Sequence, residues 1–255
     1  MLDLLKARLR HGWQAIPDIR RPVLTERYRG FPRIDAAALK IDPIALAANC
    51  PAGAISPEPL SIDLGRCVFC GGCERACGGR GIRFGNEHKT ASSSRSRLII
   101  PSGMSFEEYF ADSITPSREL KRLFGRSLRI RSVSAGGCGA CELELNACAN
   151  VNFDMTRYGI DIVASPRHAD ALVLTGPVST NMARALEETW QAIAPPRILI
   201  RMGACAISGG IFGSEDALER SFLDSVETVL YIPGCPSHPL AVINGLIRLL
   251  GKKYV

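Results

Sequence analysis

The sequence predicts an α/β protein in which a parallel-sheet domain follows a small α+β domain rich in cysteine. Residues 127–250 alternate apolar strand-like runs with longer helical segments, which is typical of a parallel sheet covered by helices on both faces. Residues 36–90 are rich in Cys, Gly and Pro and contain only short apolar runs. With 255 residues, of which 46% are hydrophobic, the chain is long enough for one or two domains with a real core.

Composition and charge exclude several classes of protein. The formal net charge of +6 is modest, and basic residues are not interleaved with aromatic ones, so nucleic-acid binding is not predicted. No apolar run of about 18 residues predicts a transmembrane segment. The first ten residues carry four charges and do not resemble a secretory signal, so we expect a cytoplasmic protein with reduced thiols. Ten cysteines in such a protein indicate metal or cluster ligands.

Shifts in composition predict four segments along the chain. These are an N-terminal helix and arm in residues 1–35, the cysteine-rich domain in 36–90, a linker in 91–126 and the sheet domain in 127–255. An apolar stripe at helical spacing marks the first helix and is formed by Leu2, Leu5, Leu9 and Trp13. We expect this stripe to pack on a partner subunit, with contact to a membrane surface as the alternative.

The elements of the sheet domain follow from their apolar patterns. Strands are predicted at 128–133, 160–164, 171–175, 197–200 and 228–232, and helices at 181–194 and 239–250. Short helices are also predicted within the linker, at 106–110 and 118–124. In a parallel sheet of this kind, ligands bind beyond the carboxyl ends of the strands.

Four cysteines fall just beyond predicted strand ends and are expected to converge. Cys138 and Cys141 follow the first strand, and Cys205 and Cys235 follow the last two. Glycines flank all of them and let the backbone approach a bulky group closely. Four converging thiolates suit a [4Fe–4S] cluster or zinc, with buried structural cysteines as a third reading. Zinc ribbons usually present two CxxC pairs, and this set contains a single one.

The cysteine-rich domain carries a C-x2-C-x2-C-x3-C run from Cys67 to Cys77. This is the spacing of bacterial ferredoxins, in which the fourth cysteine binds the other of two clusters. Upstream, Cys50-Pro51 matches the end of a first such run, whose three other ligand positions hold residues that cannot bind iron: Lys40, Pro43 and Leu46.

The same rule assigns the remaining cysteines of this domain. One cluster would be bound by Cys50, Cys67, Cys70 and Cys73, and Cys77 would be left without a cluster. We expect an apolar core to fill the volume of the lost cluster, formed by Ile41, Ile44, Leu46 and the neighbouring alanines.

Both halves of the chain resemble known proteins. Residues 127–250 resemble the small, cluster-bearing subunit of membrane-bound energy-converting [NiFe] hydrogenases and formate hydrogenlyase, and the homologous 20-kDa subunit of complex I. The resemblance is carried by Gly136–Glu144, Arg157–Ile160, Ser165–Asp170, Leu174–Pro177, Gly203–Cys205, Ser208–Phe212 and Tyr231–Pro236. Complex I subunits have adjacent tandem cysteines at the first site, so the CxxC of this chain favours the hydrogenase branch. Residues 1–90 resemble the separate ferredoxin-like subunit of the same complexes, through Met1–Lys6, Tyr28–Pro32 and Leu64–Cys67.

The resemblance implies a flavodoxin-like domain preceded by a bacterial-ferredoxin-like domain, together holding two [4Fe–4S] clusters. It implies an electron-transfer subunit that is not catalytic alone, because only Cys77 and Cys148 remain for any further site. A hydrogenase-like large subunit would perform the H⁺/H₂ chemistry and cover the rim at Ile211 and Phe212. Further ferredoxin-like and membrane subunits would hold the chain on the cytoplasmic face of the inner membrane. The alternatives are a complex-I-type NADH/quinone oxidoreductase subunit and a non-catalytic redox-sensing module.

Overall fold

The N-terminal helix is exposed along its whole described length. The computed structural model describes residues 2–12 and 14–252, so Trp13 of the predicted stripe lies outside the described residues. Helix α1 spans Leu2–His11 and none of its residues is buried. Asp3 lies in its first turn and Arg8, Arg10 and His11 in its last, an arrangement that complements the helix dipole. Across the described ranges, no helix combines the length and the apolar character needed to cross a lipid bilayer.

Two small antiparallel sheets form the N-terminal half. Its elements are β1 (Pro32–Ile34), α2 (Pro43–Ala48), β2 (Ile55–Pro57), β3 (Leu60–Asp63), α3 (Gly72–Ala76), β4 (Ile82–Phe84) and β5 (Ile99–Pro101). Strand β1 pairs with β4, and β3 lies between β2 and β5. Strand β5 comes from the segment predicted as a linker, and residues 91–126 also hold α4 (Phe106–Ser113) and α5 (Arg118–Phe124) at the positions predicted for helices.

Helix α2 carries residues that were predicted to replace a second cluster with an apolar core. It begins at Pro43, where the Asp42 side chain accepts a hydrogen bond from Ile44 N. Leu46 is 2% exposed and packs in the N-terminal core, with Ile41 half-buried against it. The prediction was wrong for Ile44, which is 67% exposed. Residues two positions apart on a helix point in directions that differ by about 200°, so Ile44 and Leu46 cannot both face the core.

A five-stranded parallel sheet forms the C-terminal half. Its elements are β6 (Leu128–Ser134), α6 (Ala140–Ala147), β7 (Ile160–Ile162), β8 (Ala171–Thr175), α7 (Thr180–Ala192), β9 (Ile198–Met202), α8 (Ala204–Ser208), α9 (Phe222–Ser225), β10 (Thr228–Ile232) and α10 (Pro239–Leu249). The strand order β10-β9-β8-β6-β7, all parallel, confirms the predicted flavodoxin-like fold. Every residue of β8 is buried, as a strand covered on both faces requires.

The segment between the halves contacts both of them. Ser92 exchanges two backbone hydrogen bonds with Tyr231 of β10, at 2.8 and 2.9 Å. Arg95 donates two hydrogen bonds to the Asp63 carboxylate at the end of β3. Ile207 of α8 is buried in the N-terminal core. The two halves therefore share apolar contacts, and the segment 91–126 is a folded part of their junction.

Candidate metal centres

The structure brings four of the predicted ligands together in the N-terminal half. They line a cavity of about 110 Å³ whose other walls are mainly apolar, including Leu46, Ile55, Ile62 and Phe84. The four cysteines are Cys50, Cys67, Cys70 and Cys73. Cys77 lies elsewhere: its Sγ is 3.5 Å from the carbonyl oxygens of Glu74 and Ile82.

Backbone N–H groups point at the sulfurs of this cavity. Ala54 N lies 3.3 Å from Cys50 Sγ, Phe69 N 3.3 Å from Cys67 Sγ and Gly72 N 3.4 Å from Cys70 Sγ. The loop reaches this shape because Phe69 and Gly71 have left-handed backbone conformations, with φ of 52° and 69°. N–H dipoles aimed at sulfur stabilise negative charge there, which is how proteins tune iron–sulfur clusters.

The buried thiols need a positively charged partner before they can ionise. Burial raises the pKa of Cys67 to about 12 and that of Cys73 to about 11. Only thiolates bind metal, and four thiolates in an apolar cavity would be costly without cations between them. The donor set, the apolar walls and the N–H groups therefore fit an iron–sulfur cluster.

The second set of cysteines lies at the carboxyl edge of the parallel sheet. Cys138 and Cys141 follow β6, Cys205 lies in α8 after β9, and Cys235 follows β10. The thiols are close enough for Cys205 and Cys235 to raise the pKa of Cys141, and for Cys138 to raise those of Cys205 and Cys235, although burial is the larger cause at each.

One glycine sets the closest approach at this edge. A Cβ at Gly203 would lie only 2.6 Å from Cys141 Sγ, and the φ of Gly203 is 90°. The chain leaving β9 therefore passes directly against Cys141 before it reaches Cys205.

Among the described residues, no three Cys, His, Asp or Glu side chains are gathered where a single metal ion would sit.

Arg220 holds the Cys205 loop, and the sequence analysis missed it. Its guanidinium donates to Pro177 O at 2.6 Å, Cys205 O at 3.1 Å and Ala206 O at 3.0 Å. Half-buried Arg29 has a similar place at the other site, where it donates to Phe69 O at 3.3 Å. Neither arginine lies in a recognisable spacing, so the sequence offered no signal for them.

A cavity of about 170 Å³ is lined by residues of the N-terminal cysteine loop, the N-terminal arm and the Cys235 loop. Phe69, between Cys67 and Cys70, lines it from one side, and Cys235 lines it from the other. Tyr28 of the N-terminal arm also lines it, and its ring centroid is 5.2 Å from that of His238. Cys235 is therefore the one predicted ligand among the residues that line this cavity, and Phe69 brings the N-terminal cysteine loop to its wall.

Two further features of the sheet domain bear on the second site. Cys148 is fully buried in the core, and its Sγ lies 3.3 Å from Glu144 O, so it is a packed side chain. The rim beside Cys205 is exposed, at 52% for Ile211 and 42% for Phe212. Leu143, two residues after Cys141, is 71% exposed. An apolar surface therefore surrounds the second cysteine set.

Comparison with known proteins identifies the family. Residues 138–249 match the profile of the NADH ubiquinone oxidoreductase 20 kDa subunit. The chain is 38% identical to formate hydrogenlyase subunit 7 of Escherichia coli over 60% of its own length and 58% of that protein, so it spans about three fifths of that relative. It is 34% identical to a probable membrane-bound hydrogenase subunit of Pyrococcus furiosus over 52% of its length and 80% of that protein.

A solved structure of an archaeal membrane-bound sulfane sulfur reductase aligns with 52% of this chain and 73% of its own, at 28% identity and a TM-score of 0.43. The sequence matches, one of which covers four fifths of its relative, are the stronger finding. The chain belongs to the family of the 20 kDa subunit of NADH ubiquinone oxidoreductase.

Proposed function

We propose that the chain is an iron–sulfur electron-transfer subunit of a hydrogenase-like oxidoreductase complex and is not catalytic alone. One [4Fe–4S] cluster would be held by Cys50, Cys67, Cys70 and Cys73, and a second by Cys138, Cys141, Cys205 and Cys235. The observation that carries the proposal is the gathering of Cys50, Cys67, Cys70 and Cys73 around one largely apolar cavity, with backbone N–H groups aimed at three of the sulfurs. Family membership supports iron–sulfur chemistry independently.

When bound, the clusters supply one-electron carriers. The chain's own residues position them and control their surroundings. Leu46, Ile62 and Phe84 give the N-terminal cavity apolar walls, and the N–H groups at Cys50, Cys67 and Cys70 stabilise charge on sulfur. At the sheet edge, Arg220 fixes the Cys205 loop and Gly203 leaves room for Cys141. The cavity lined by both Phe69 and Cys235 supports a route for electron transfer between the sites.

The exposed rim supports a large-subunit partner. Ile211, Phe212 and Leu143 surround the second cysteine set with apolar surface, which marks a protein interface. The relatives are named as subunits of formate hydrogenlyase and of a membrane-bound hydrogenase. A hydrogenase-like large subunit on this rim would perform the H⁺/H₂ chemistry. Other subunits, ferredoxin-like and membrane-embedded, would hold the chain on the cytoplasmic face of the membrane.

Membership of the NADH ubiquinone oxidoreductase 20 kDa family favours a second candidate, a subunit of a complex-I-type quinone oxidoreductase. The CxxC spacing of Cys138 and Cys141 favours the hydrogenase reading. The sequence of the large subunit separates the two candidates. Two CxxC pairs in that subunit would indicate a nickel–iron site, and their loss would indicate a different electron acceptor.

Iron and sulfide analysis of the anaerobically purified chain tests the proposal. Two clusters require about eight iron and eight sulfide per chain, without zinc. About four iron would show that one cysteine set holds no cluster. Stoichiometric zinc without sulfide would overturn the proposal.

A further inference from the structure

A broad cavity lies at the edge of the parallel sheet opposite the cysteines. Its volume is about 590 Å³, and it is lined by α5 and the residues after it, the turn before β7 and the residues after α10. Strands β6 and β7 begin at this edge, where Leu128 pairs with Ile160. The seven residues of β6 span roughly 23 Å, and Cys138 follows the far end of that strand. None of the eight proposed cluster ligands lines the cavity.

The residues that line this cavity carry positive charge. Four of the ten are basic and none is acidic: Lys121, Arg126, Arg157 and Lys252. Among the described residues, none of these four forms an ion pair with an acidic side chain. Lys121 and Arg126 are exposed, and Arg157 and Lys252 are half-buried. We call this set of four side chains the basic cavity.

Arg157 has unmet hydrogen-bonding capacity. Its Nε and Nη2 are buried and have no hydrogen-bond partner in the part of the chain that the structure describes. Its guanidinium carbon lies 4.9 Å from the centroid of the Tyr158 ring, which holds the group by a cation–π contact. A buried guanidinium nitrogen without an acceptor raises the free energy of the folded chain. An anion bound beside Arg157 would supply that acceptor.

The walls of the basic cavity are held in place by the chain itself. Lys252 donates hydrogen bonds to the carbonyl oxygens of Arg126 and Tyr158, and burial lowers the pKa of its ammonium group. A Cβ at Gly159, whose φ is 66°, would lie 2.3 Å from Arg126 O, so the two segments touch through their backbones. The segments that carry Arg126 and Arg157 are therefore joined before any ligand binds.

Phosphate groups have the chemistry that this arrangement recognises. A guanidinium group binds phosphate oxygens with two parallel hydrogen bonds, and a lysine adds a point charge. We propose that the basic cavity is a binding site for a phosphate-bearing anion. Two sources carry this chemistry, a free phosphorylated small molecule and the headgroup of an anionic phospholipid. The site requires no cluster, so the proposal is independent of the proposed function.

The test uses the full, anaerobically purified chain with two probes. Inorganic pyrophosphate is titrated in a calorimeter, and phosphatidylcholine vesicles with and without phosphatidylglycerol are used in cosedimentation. Arg126→Gln and Arg157→Gln should each weaken the binding by about tenfold, because each removes a guanidinium from the anion. Arg157→Lys keeps the charge without the planar fork, so its affinity should lie between those of the wild type and Arg157→Gln.

Arg184→Gln is the matched control, since it makes the same change at an exposed arginine of α7. It should leave the binding of both probes unchanged. Pyrophosphate binding that Arg126→Gln and Arg157→Gln weaken supports a free phosphate ligand. Binding only to vesicles with phosphatidylglycerol, weakened by the same variants, supports a lipid headgroup.

Three results would overturn the proposal. They are binding of neither probe, an equal loss in Arg184→Gln, and binding that neither cavity variant weakens. The last result for the vesicles would assign that binding to another surface, such as the exposed leucines of α1. Arg126 is exposed, so Arg126→Gln decides the test if Arg157→Gln fails to fold.

Discussion

The two cysteine sites are built in opposite ways. The N-terminal site takes three of its four cysteines from one loop, whose shape depends on left-handed Phe69 and Gly71 and on the five-residue helix α3. The C-terminal site takes its cysteines from the loops and helix starts that follow three strands of one buried sheet. The first is defined by local spacing and the second by topology, so the two should respond differently to the same kind of change.

The scaffolds also differ in size. The C-terminal cysteines rest on a sheet whose central strand β8 is entirely buried, with α10 packed beneath it. The strands of the N-terminal half are three or four residues long. We therefore expect the metal to contribute a larger share of local order at the N-terminal site.

The largest expected effect distinguishes the role of Cys50 from that of Cys77. Cys50→Ser should lower the iron content from about eight to about four per chain, because Cys50 lines the N-terminal cavity. Cys77→Ser should leave it at about eight, because Cys77 packs against Glu74 and Ile82 instead. The measurement is iron per chain together with the electron paramagnetic resonance spectrum of the reduced protein. Loss of a cluster in Cys77→Ser but not in Cys50→Ser would contradict the ligand assignment.

The sequence predicted what depends on local spacing or on strand order. The apolar strand patterns predicted the five-stranded sheet. Strand ends and ferredoxin spacing, which follow general rules, led to the two proposed cysteine sets. Contacts made across long stretches of chain could not be predicted. Strand β5 joins β3 through backbone pairing with Ser61 and Ile62, and Arg220 acts through four carbonyl oxygens; neither leaves a pattern in the sequence. The error at Ile44 came from treating an apolar run as a single face.

A second, smaller effect is expected at the C-terminal site, from a substitution in the backbone that passes Cys141. Gly203→Ala places a methyl group 2.6 Å from Cys141 Sγ at a φ of 90°, so the loop or the thiol must move. We expect this variant to lose most of the iron of the C-terminal site and to keep that of the N-terminal site. Spectra of the reduced protein distinguish the two.

Gly139→Ala is the matched control for this experiment. Gly139 also has a left-handed φ, of 83°, and lies between Cys138 and Cys141, but a Cβ there meets no atom within 4 Å. It should cost about 1 kcal/mol of stability from backbone strain and keep both clusters. If the two variants lose iron equally, backbone strain and not the contact with Cys141 explains the loss.

The smallest effect concerns the junction of the two regions, at His88. This residue is 5% exposed, and its Nε2 lies 3.1 Å from Asn244 Nδ2 of α10. Burial lowers the pKa of His88 to about 4, and the charges of Lys89 and His238 act in the same direction. An unfolded histidine has a pKa of about 6.5. Between these values the unfolded chain binds a proton that the folded chain excludes, so the free energy of unfolding should fall as the pH falls.

Above about pH 6.5 His88 is neutral in both states and stability does not depend on it; below that value its contribution is lost progressively. Between pH 7 and 5 the loss should reach about 2 kcal/mol. His88→Gln removes the titrating ring, so urea unfolding of this variant should show a pH dependence smaller by about that amount. His168→Gln, at an exposed position, should keep the wild-type dependence. An unchanged pH dependence in His88→Gln would show that the proton is taken up elsewhere, and the junction would then not act as the pH-sensitive contact between the two regions.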